Sequence, residues 1–296
     1  RVNGSESALR DSLAPLGNSV VTYREGALVK VHLHGGAATD IRSSLGMLGT
    51  IEQFHADDIA DQTEAFINRG HATHLHLMTD AAGSFTREQA RALNVTLLNS
   101  YVTIGEQSCP ETHLDPCALY GAMRAGVKVS TSQASVLERH ESYRRVCDLC
   151  AEVIYLSVGS AYTGNVACAR AWQAAHDRQH RFTVIDSETA SGSLGLLVYA
   201  AAHKIRAHKA LADVREFIEA ARHRVVELVF LDRLDFLARG GRLSKTRAFF
   251  GDLIGVKPVI SPLADGARKV GVAHHRRGQI DMARQTLRSR LTARSE

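Results

Sequence analysis

Long apolar runs are missing from this chain of 296 residues. The longest uncharged one, Leu194 to Ala202, is about half of the roughly 20 residues that a membrane-spanning helix needs. No basic-then-apolar leader with a small-residue cleavage site opens the sequence. A cytoplasmic protein without a membrane span is therefore expected. Aromatic residues are scarce, at 6%, which leaves little on which nucleic-acid bases could stack. The net charge of +5 does not reverse that conclusion. The basic residues are scattered, apart from Arg276-Arg277 and the arginines near the C-terminus, so they read as a solvated surface and no nucleic-acid partner is expected. Such a surface also suits a protein that meets anions.

Five cysteines are an odd number for a disulfide framework, and a chain of this length needs none. Cys147 and Cys150 form a CxxC, but in a charged stretch from Arg144 to Glu152 with no second pair nearby. They read as reduced thiols. Missing too are a GxSxG elbow and a recognisable serine triad, which removes the usual signs of nucleophilic catalysis. No GxxxxGK[ST] loop or GxGxxG fingerprint is present, and no internal repeat or low-complexity segment.

What is there is apolar material for a large core: 45% of residues are hydrophobic and 23% charged. Ser5 and Ser7 suit the N-cap of a helix through Leu9 and Leu13, ended by Gly17. Ser19 to Tyr23 and Ala27 to Leu33 then read as paired strands turning at Glu25-Gly26, and a helix runs from about Ala38 to Leu48. Beyond a boundary near Asn68-Arg69-Gly70, strands and helices alternate. Strands are expected at Thr73 to Met78, Val95 to Tyr101, Val153 to Ser157 and Phe182 to Ile185. Helices are expected at Arg87 to Leu93, Asp115 to Arg124, Ser135 to Cys150, Val166 to His176, Ser193 to Ala207 and Leu211 to His223. This alternation implies an α/β protein with a mainly parallel sheet covered on both faces. From about Val225 the pattern changes to Val226 to Leu231, Val256 to Ser261 and Arg268 to His274, with a turn at Asp265-Gly266. A second, smaller α/β domain is expected there.

Ligands in such sheets bind where loops converge at strand ends, beside helix N-termini with unpaired N–H groups. Three loops qualify. Ser130-Thr131-Ser132-Gln133 leads into the helix from Ser135, and its hydroxyls serve either an anion or simple N-capping. Ser157 to Asn165 joins a buried strand to a helix, with two glycines for close backbone approach and the hydroxyls of Ser160 and Thr163 as donors, the make-up of a nest for a carboxylate or phosphate. Asp186-Ser187-Glu188, followed by Ser191-Gly192-Ser193, reads first as a tight strand-to-helix turn.

These loops fall in an order that resembles the DegV family. Met78-Thr79-Asp80-Ala81 looks like that family's opening strand with its Asp-Ser segment, alanine standing where serine is usual. Val129 to Ser135 resembles its Thr-Ser-Gln-Pro-Ser signature. Tyr162-Thr163-Gly164 sits where the family has Leu-Ser-Gly, and Val184 to Ser187 matches its Val-x-Asp-Ser. Most specific is Leu234 to Ser244, containing Arg239-Gly240-Gly241-Arg242, followed by Gly255 to Ile260. The resemblance covers roughly three-quarters of the chain, from about His71. It implies a DegV-like two-domain protein, residues 71–224 and 225–296, that buries one long acyl chain between its domains and is not itself an enzyme. By position, Thr131, Ser132, Ser160, Thr163 and Gly164 would hold the fatty-acid carboxylate, consistent with the several hydrogen bonds that a buried carboxylate requires. The resemblance also implies a separate fatty acid kinase that phosphorylates the presented carboxylate to an acyl phosphate. Arg239 and Arg242 become candidates for the phosphate or the kinase interface, the alternative being a turn pinned by salt bridges. The family's C-terminal segment, with its histidine near the head group, is expected to be truncated here.

Residues 1–70 carry a second resemblance. Leu16-Gly17-Asn18-Ser19-Val20-Val21 and Val29-Lys30-Val31-His32-Leu33-His34 are similar to the middle domain of the kinase partner, which implies an α+β fragment of a kinase fused upstream. His32 and His34 share one face of a strand, as two ligands of a zinc ion would. The competing reading is a metal-dependent hydrolase or transferase using His32, His34 and the cluster His71, His74 and His76.

Overall fold

The computed structural model describes residues 6–26, 28–35, 38–51, 75–231 and 257–292. The chain divides into two compact units, one formed by Arg1–Asn68 with Asn99–Gln133, the other by Arg69–Leu98 with Ala134–Glu296.

In the first unit, a helix at Glu6–Leu13 passes through a short 3-10 turn into the antiparallel pair Gly17–Glu25 and Leu28–Gly35. Glu25 pairs with Leu28, and Gly26 takes the left-handed conformation, φ 62°, that a tight hairpin turn requires. The expected turn at Glu25-Gly26 is thus where the chain reverses. A helix at Ala38–Leu48 follows. The same unit holds a three-stranded antiparallel sheet in the order Gln107–Pro110, Ser100–Ile104, Val129–Gln133. Beside it in sequence, the helix Pro116–Arg124 starts with proline in its first turn and with the Asp115 carboxylate accepting from the Cys117 and Ala118 amides at 2.9 and 3.3 Å.

Two sequence expectations change here. Val95 to Tyr101 reads as one strand, but the structure makes two, with Asn99 between them. Val95–Leu98 joins the parallel sheet of the second unit and Ser100–Ile104 joins the antiparallel sheet of the first. Alternating β-branched and apolar residues call for extended backbone throughout, and only the partners distinguish the two halves. Ser130 to Gln133, expected as a loop, is strand: Tyr101 pairs with Ser132 and Val102 with Thr131.

The second unit is the α/β body. Its parallel sheet runs in the order Val95–Leu98, Leu75–Asp80, Glu152–Ser157, Phe182–Asp186. Every residue of Leu75–Asp80 is buried, as expected of a central strand covered on both faces. The two-residue period separates two cores. Leu75, Leu77, Ile154, Leu156 and Ile185 face one way, against Leu194, Leu197, Val198, Ala201, Val214 and Ile218. Met78, Val153, Tyr155 and Phe182 face the other way, against Tyr143, Val146, Cys147, Ala169 and Trp172. The helices Val136–Leu149 and Asn165–His176 supply the second set, and Ser191–Arg206 and Leu211–Arg222 the first. Ser135 caps its helix by accepting from the Glu138 amide at 3.1 Å. A small antiparallel sheet, Val229–Phe230, Lys257–Leu263 and Gly266–Ala273, carries the helix Arg276–Thr292.

Candidate functional site

The loop from Ser157 to Asn165 leaves the carboxyl end of a central parallel strand and runs into the helix Asn165–His176, whose N-cap is Gly164. Beneath it sits Asp80, at the end of the neighbouring strand and only 3% exposed. The Asp80 carboxylate accepts from the Tyr155 hydroxyl at 2.6 Å, the Asn165 side-chain amide at 2.8 Å, the Ser157 hydroxyl at 3.0 Å and the Val158 backbone amide at 2.7 Å. Burial pushes its pKa up, against the pull of these four donors. Arg139 extends the network by donating to the Asn165 side-chain oxygen at 2.7 Å. Asp80 therefore ties both ends of the loop, through Val158 and Asn165, to the sheet.

The middle of the loop is held from the adjacent strand end. The Asp186 carboxylate accepts from the Ser160 amide at 3.2 Å and the Glu188 amide at 3.0 Å. Gly159 donates to the Thr189 carbonyl at 2.8 Å, and a Cβ on Gly159 would lie 2.8 Å from the Thr189 nitrogen. Glycine is required there by that close approach. Ser160 and Gly164 are exposed and Thr163 is half-buried, its hydroxyl accepting from the Asn165 amide at 3.3 Å. The Val158, Gly159, Ser160 and Tyr162 amides are thus engaged within the protein, and the loop presents the Ser160 and Thr163 hydroxyls beside a helix N-terminus, an arrangement suited to a carboxylate or phosphate.

The adjacent turn is tight, as expected. Glu188 and Ser191 both have positive φ, 57° and 54°. The first turn of the following helix holds the Glu227 carboxylate, with the Ser193 and Gly192 amides at 2.8 and 3.3 Å.

Ser160, Thr163 and Gly164 share one short loop of the second unit. Thr131 and Ser132 are exposed neighbours on a strand of the first unit, so their side chains project to opposite faces of its sheet. Arg239 and Arg242, and the motif that contains them, lie outside the described residues. His32 and His34 do share a face, with their Nε2 atoms 3.3 Å apart and their rings meeting edge-on. Two imidazoles are half of a tetrahedral zinc site. Among the described residues no group of three or more His, Cys, Asp or Glu side chains is placed to hold a metal ion, so no zinc is assigned. His71 and His74 lie outside the described residues. His76 is buried, with Nε2 2.9 Å from the Thr96 hydroxyl, and burial lowers its pKa to about 4. In the CxxC, Cys147 is buried and its pKa is pushed up to about 12, the opposite of a reactive thiolate.

Sequence reading assigned no role to Asp80, Tyr155, Asn165 or Glu227. The available signal is an aspartate closing the buried strand that holds Leu75, Leu77 and Met78, at the edge where such sheets bind ligands.

Residues 74–289 match the family model described as uncharacterised protein, DegV family. The chain belongs to the DegV family. Residues 2–66 match a second model, described as a fatty-acid-kinase-like middle domain. Both resemblances read from the motifs are thereby borne out. A DegV domain-containing protein of Deinococcus radiodurans is 31% identical over 186 residues, 62% of this chain and 66% of that protein. One from Clostridium perfringens is 26% identical over 190 residues, 62% of this chain and 65% of the relative. The chain thus spans just under two thirds of the length of these DegV relatives. Among solved structures, a DegV family protein from Thermus thermophilus, described by its fatty acid binding, has a TM-score of 0.66 at 25% identity, covering 73% of this chain and 78% of that one. DegV of Bacillus subtilis, described as a fatty acid binding protein, has a TM-score of 0.63 at 24% identity, covering 72% and 77%. A DegV family protein of Eubacterium eligens loaded with heptadecanoic acid has a TM-score of 0.62 at 15% identity, covering 73% and 78%. The last two speak to the fold, a mixed α/β architecture around a parallel sheet, as expected. Among the described residues, no helix is long and apolar enough to cross a membrane.

Proposed function

We propose that this chain is a cytoplasmic fatty-acid carrier that buries one long acyl chain and presents its carboxylate, with no catalytic step of its own. The observation that carries the reading is the loop Ser160 to Gly164, whose hydroxyls stand beside a helix N-terminus and whose backbone is braced by Asp80 and Asp186, in a DegV chain whose Thermus thermophilus relative is described by fatty acid binding. Ser160, Thr163 and Gly164 meet the carboxylate, and the family resemblance points to Thr131 and Ser132 as well, of which one face of the strand offers only one. The acyl chain lies between the domains 71–224 and 225–296 and contributes about 0.8 kcal/mol per buried methylene, which makes the tail a main source of affinity. The match of residues 2–66 to a kinase middle domain supports a fatty acid kinase as partner. That kinase converts the presented carboxylate to an acyl phosphate, with Arg239 and Arg242 at the phosphate or the kinase interface.

Native mass spectrometry of the purified protein tests the reading. A co-purifying long-chain fatty acid is expected, and a chain that neither retains nor takes up such an acid refutes it. Ser160→Ala is expected to weaken retention. Thr131→Ala and Ser132→Ala separate the two strand neighbours, since a ligand on one face of the sheet is met by only one of them.

A further inference from the structure

Among the described residues, hydrogen bonds tie the small sheet of the second unit to the α/β body at both of its ends. At its root, Glu227, two residues before the strand Val229–Phe230, accepts from the first amides of the helix Ser191–Arg206. At its far end, the last two residues of the strand Lys257–Leu263 offer their carbonyls to the body. The Thr189 hydroxyl donates to Pro262 at 3.5 Å, and the Tyr162 hydroxyl donates to Leu263 at 2.6 Å. The Tyr162 bond is the shorter by far, and it springs from the middle of the candidate loop. Tyr162 is flanked by Ala161 and Thr163, its amide closes a turn onto the Gly159 carbonyl at 2.9 Å, and its ring packs partly buried against the first core cluster. Leu263 in turn is the last paired residue before the hairpin turn, opposite Gly266. A continuous chain of contacts therefore runs from the core, through the loop, to the tip of the hairpin.

We propose that Tyr162 is a clasp: its hydroxyl latches the hairpin Lys257–Ala273 onto the loop that receives the acyl carboxylate, and ligand exchange requires that bond to open. A leucine at this place, the residue of the pattern that Tyr162-Thr163-Gly164 resembles, packs a similar apolar body but has no hydroxyl to reach the hairpin. The clasp rests on the carrier reading for its ligand. Its geometry rests on Tyr162, Thr189, Pro262 and Leu263 alone. Burial raises the pKa of the phenol, so the group remains a donor.

The test is Tyr162→Phe, which removes one oxygen and keeps the ring in the core. Wild type and variant are loaded with cis-parinaric acid, and release to excess albumin is followed by stopped-flow fluorescence. Loss of one such hydrogen bond is expected to speed release about fivefold. Tyr199→Phe, an exposed tyrosine on the helix Ser191–Arg206, is expected to leave the rate unchanged. An unchanged rate in Tyr162→Phe overturns the clasp and leaves the carrier reading standing. If the wild type takes up no cis-parinaric acid, the carrier reading fails, and amide hydrogen exchange across the hairpin decides the latch separately. Faster exchange near Gly266 in Tyr162→Phe sustains the latch, and unchanged exchange overturns it.

Discussion

Replacing Gly159 by alanine adds one methyl group at the point where the candidate loop presses on the neighbouring strand end. Gly159 lies outside the left-handed region, so alanine suffers no backbone strain there, and the whole effect is steric. The new Cβ would lie 2.8 Å from the Thr189 nitrogen, 3.0 Å from the Glu188 carbonyl carbon and 3.1 Å from the Glu188 Cα. All are backbone atoms, which cannot rotate away. The turn they belong to is pinned, by the Ser187 amide on the Ser157 carbonyl at 3.1 Å and by the Ser187 hydroxyl on the Thr189 carbonyl at 3.2 Å. Loop and turn must therefore part, stretching the 2.8 Å bond from Gly159 to Thr189. Overpacking of this kind costs about 1–3 kcal/mol. The single tryptophan, Trp172, is buried in the second core cluster of the same unit and reports its unfolding by fluorescence. The urea midpoint is expected to fall by roughly 1 M, and fatty-acid retention to fall with it, because Ser160 moves with its neighbour. A Gly159→Ala protein that unfolds at the wild-type midpoint would refute the close-approach argument.

Asp80→Ala is expected to be the more damaging change. It removes the shared acceptor of four donors in a site closed to water, and each buried donor left unpaired costs about 1–3 kcal/mol. A urea midpoint above that of Gly159→Ala would contradict this. Stability should also fall on acidification through His76. Its folded pKa, lowered from 6.5 to about 4, means that the unfolded chain takes up the proton first. Stability is then complete above about pH 6.5 and is lost progressively towards pH 4, by on the order of 3 kcal/mol. His76→Gln should lack that component, and an identical pH profile in the two proteins would show that His76 is not its source. Among the thiols, iodoacetamide at neutral pH should label exposed Cys117 and spare buried Cys147 until the chain unfolds. Peptide mapping that finds Cys147 labelled as fast as Cys117 would disprove the burial.

Much of this protein is legible in one dimension because the evidence is local. The helix from Ser135, the hairpin at Gly26 and the buried strands each follow from residues a few positions apart, through capping, positive φ and the two-residue period. The family motifs are equally contiguous, so the resemblance is legible without the fold. Partnership is different. Val95–Leu98 and Ser100–Ile104 read alike, yet they hydrogen-bond in different sheets, a choice made by strands distant in sequence. Thr131 and Ser132 read as joint donors, and strand pairing turns them to opposite faces.

Asp80 shows the limit most clearly. Local sequence marks it only as a residue two past the expected strand Thr73 to Met78, with the loop Ser157 to Asn165 far downstream. Only the tertiary structure brought it against Tyr155, Ser157, Val158 and Asn165, between 75 and 85 positions away. Clasp and carboxylate alike depend on separations of that kind, Tyr162 reaching Leu263 across 101 positions. Local sequence sets backbone conformation through short-range sterics and hydrogen bonds. Which distant polar groups meet is settled by how the sheet and its helices bury their apolar faces.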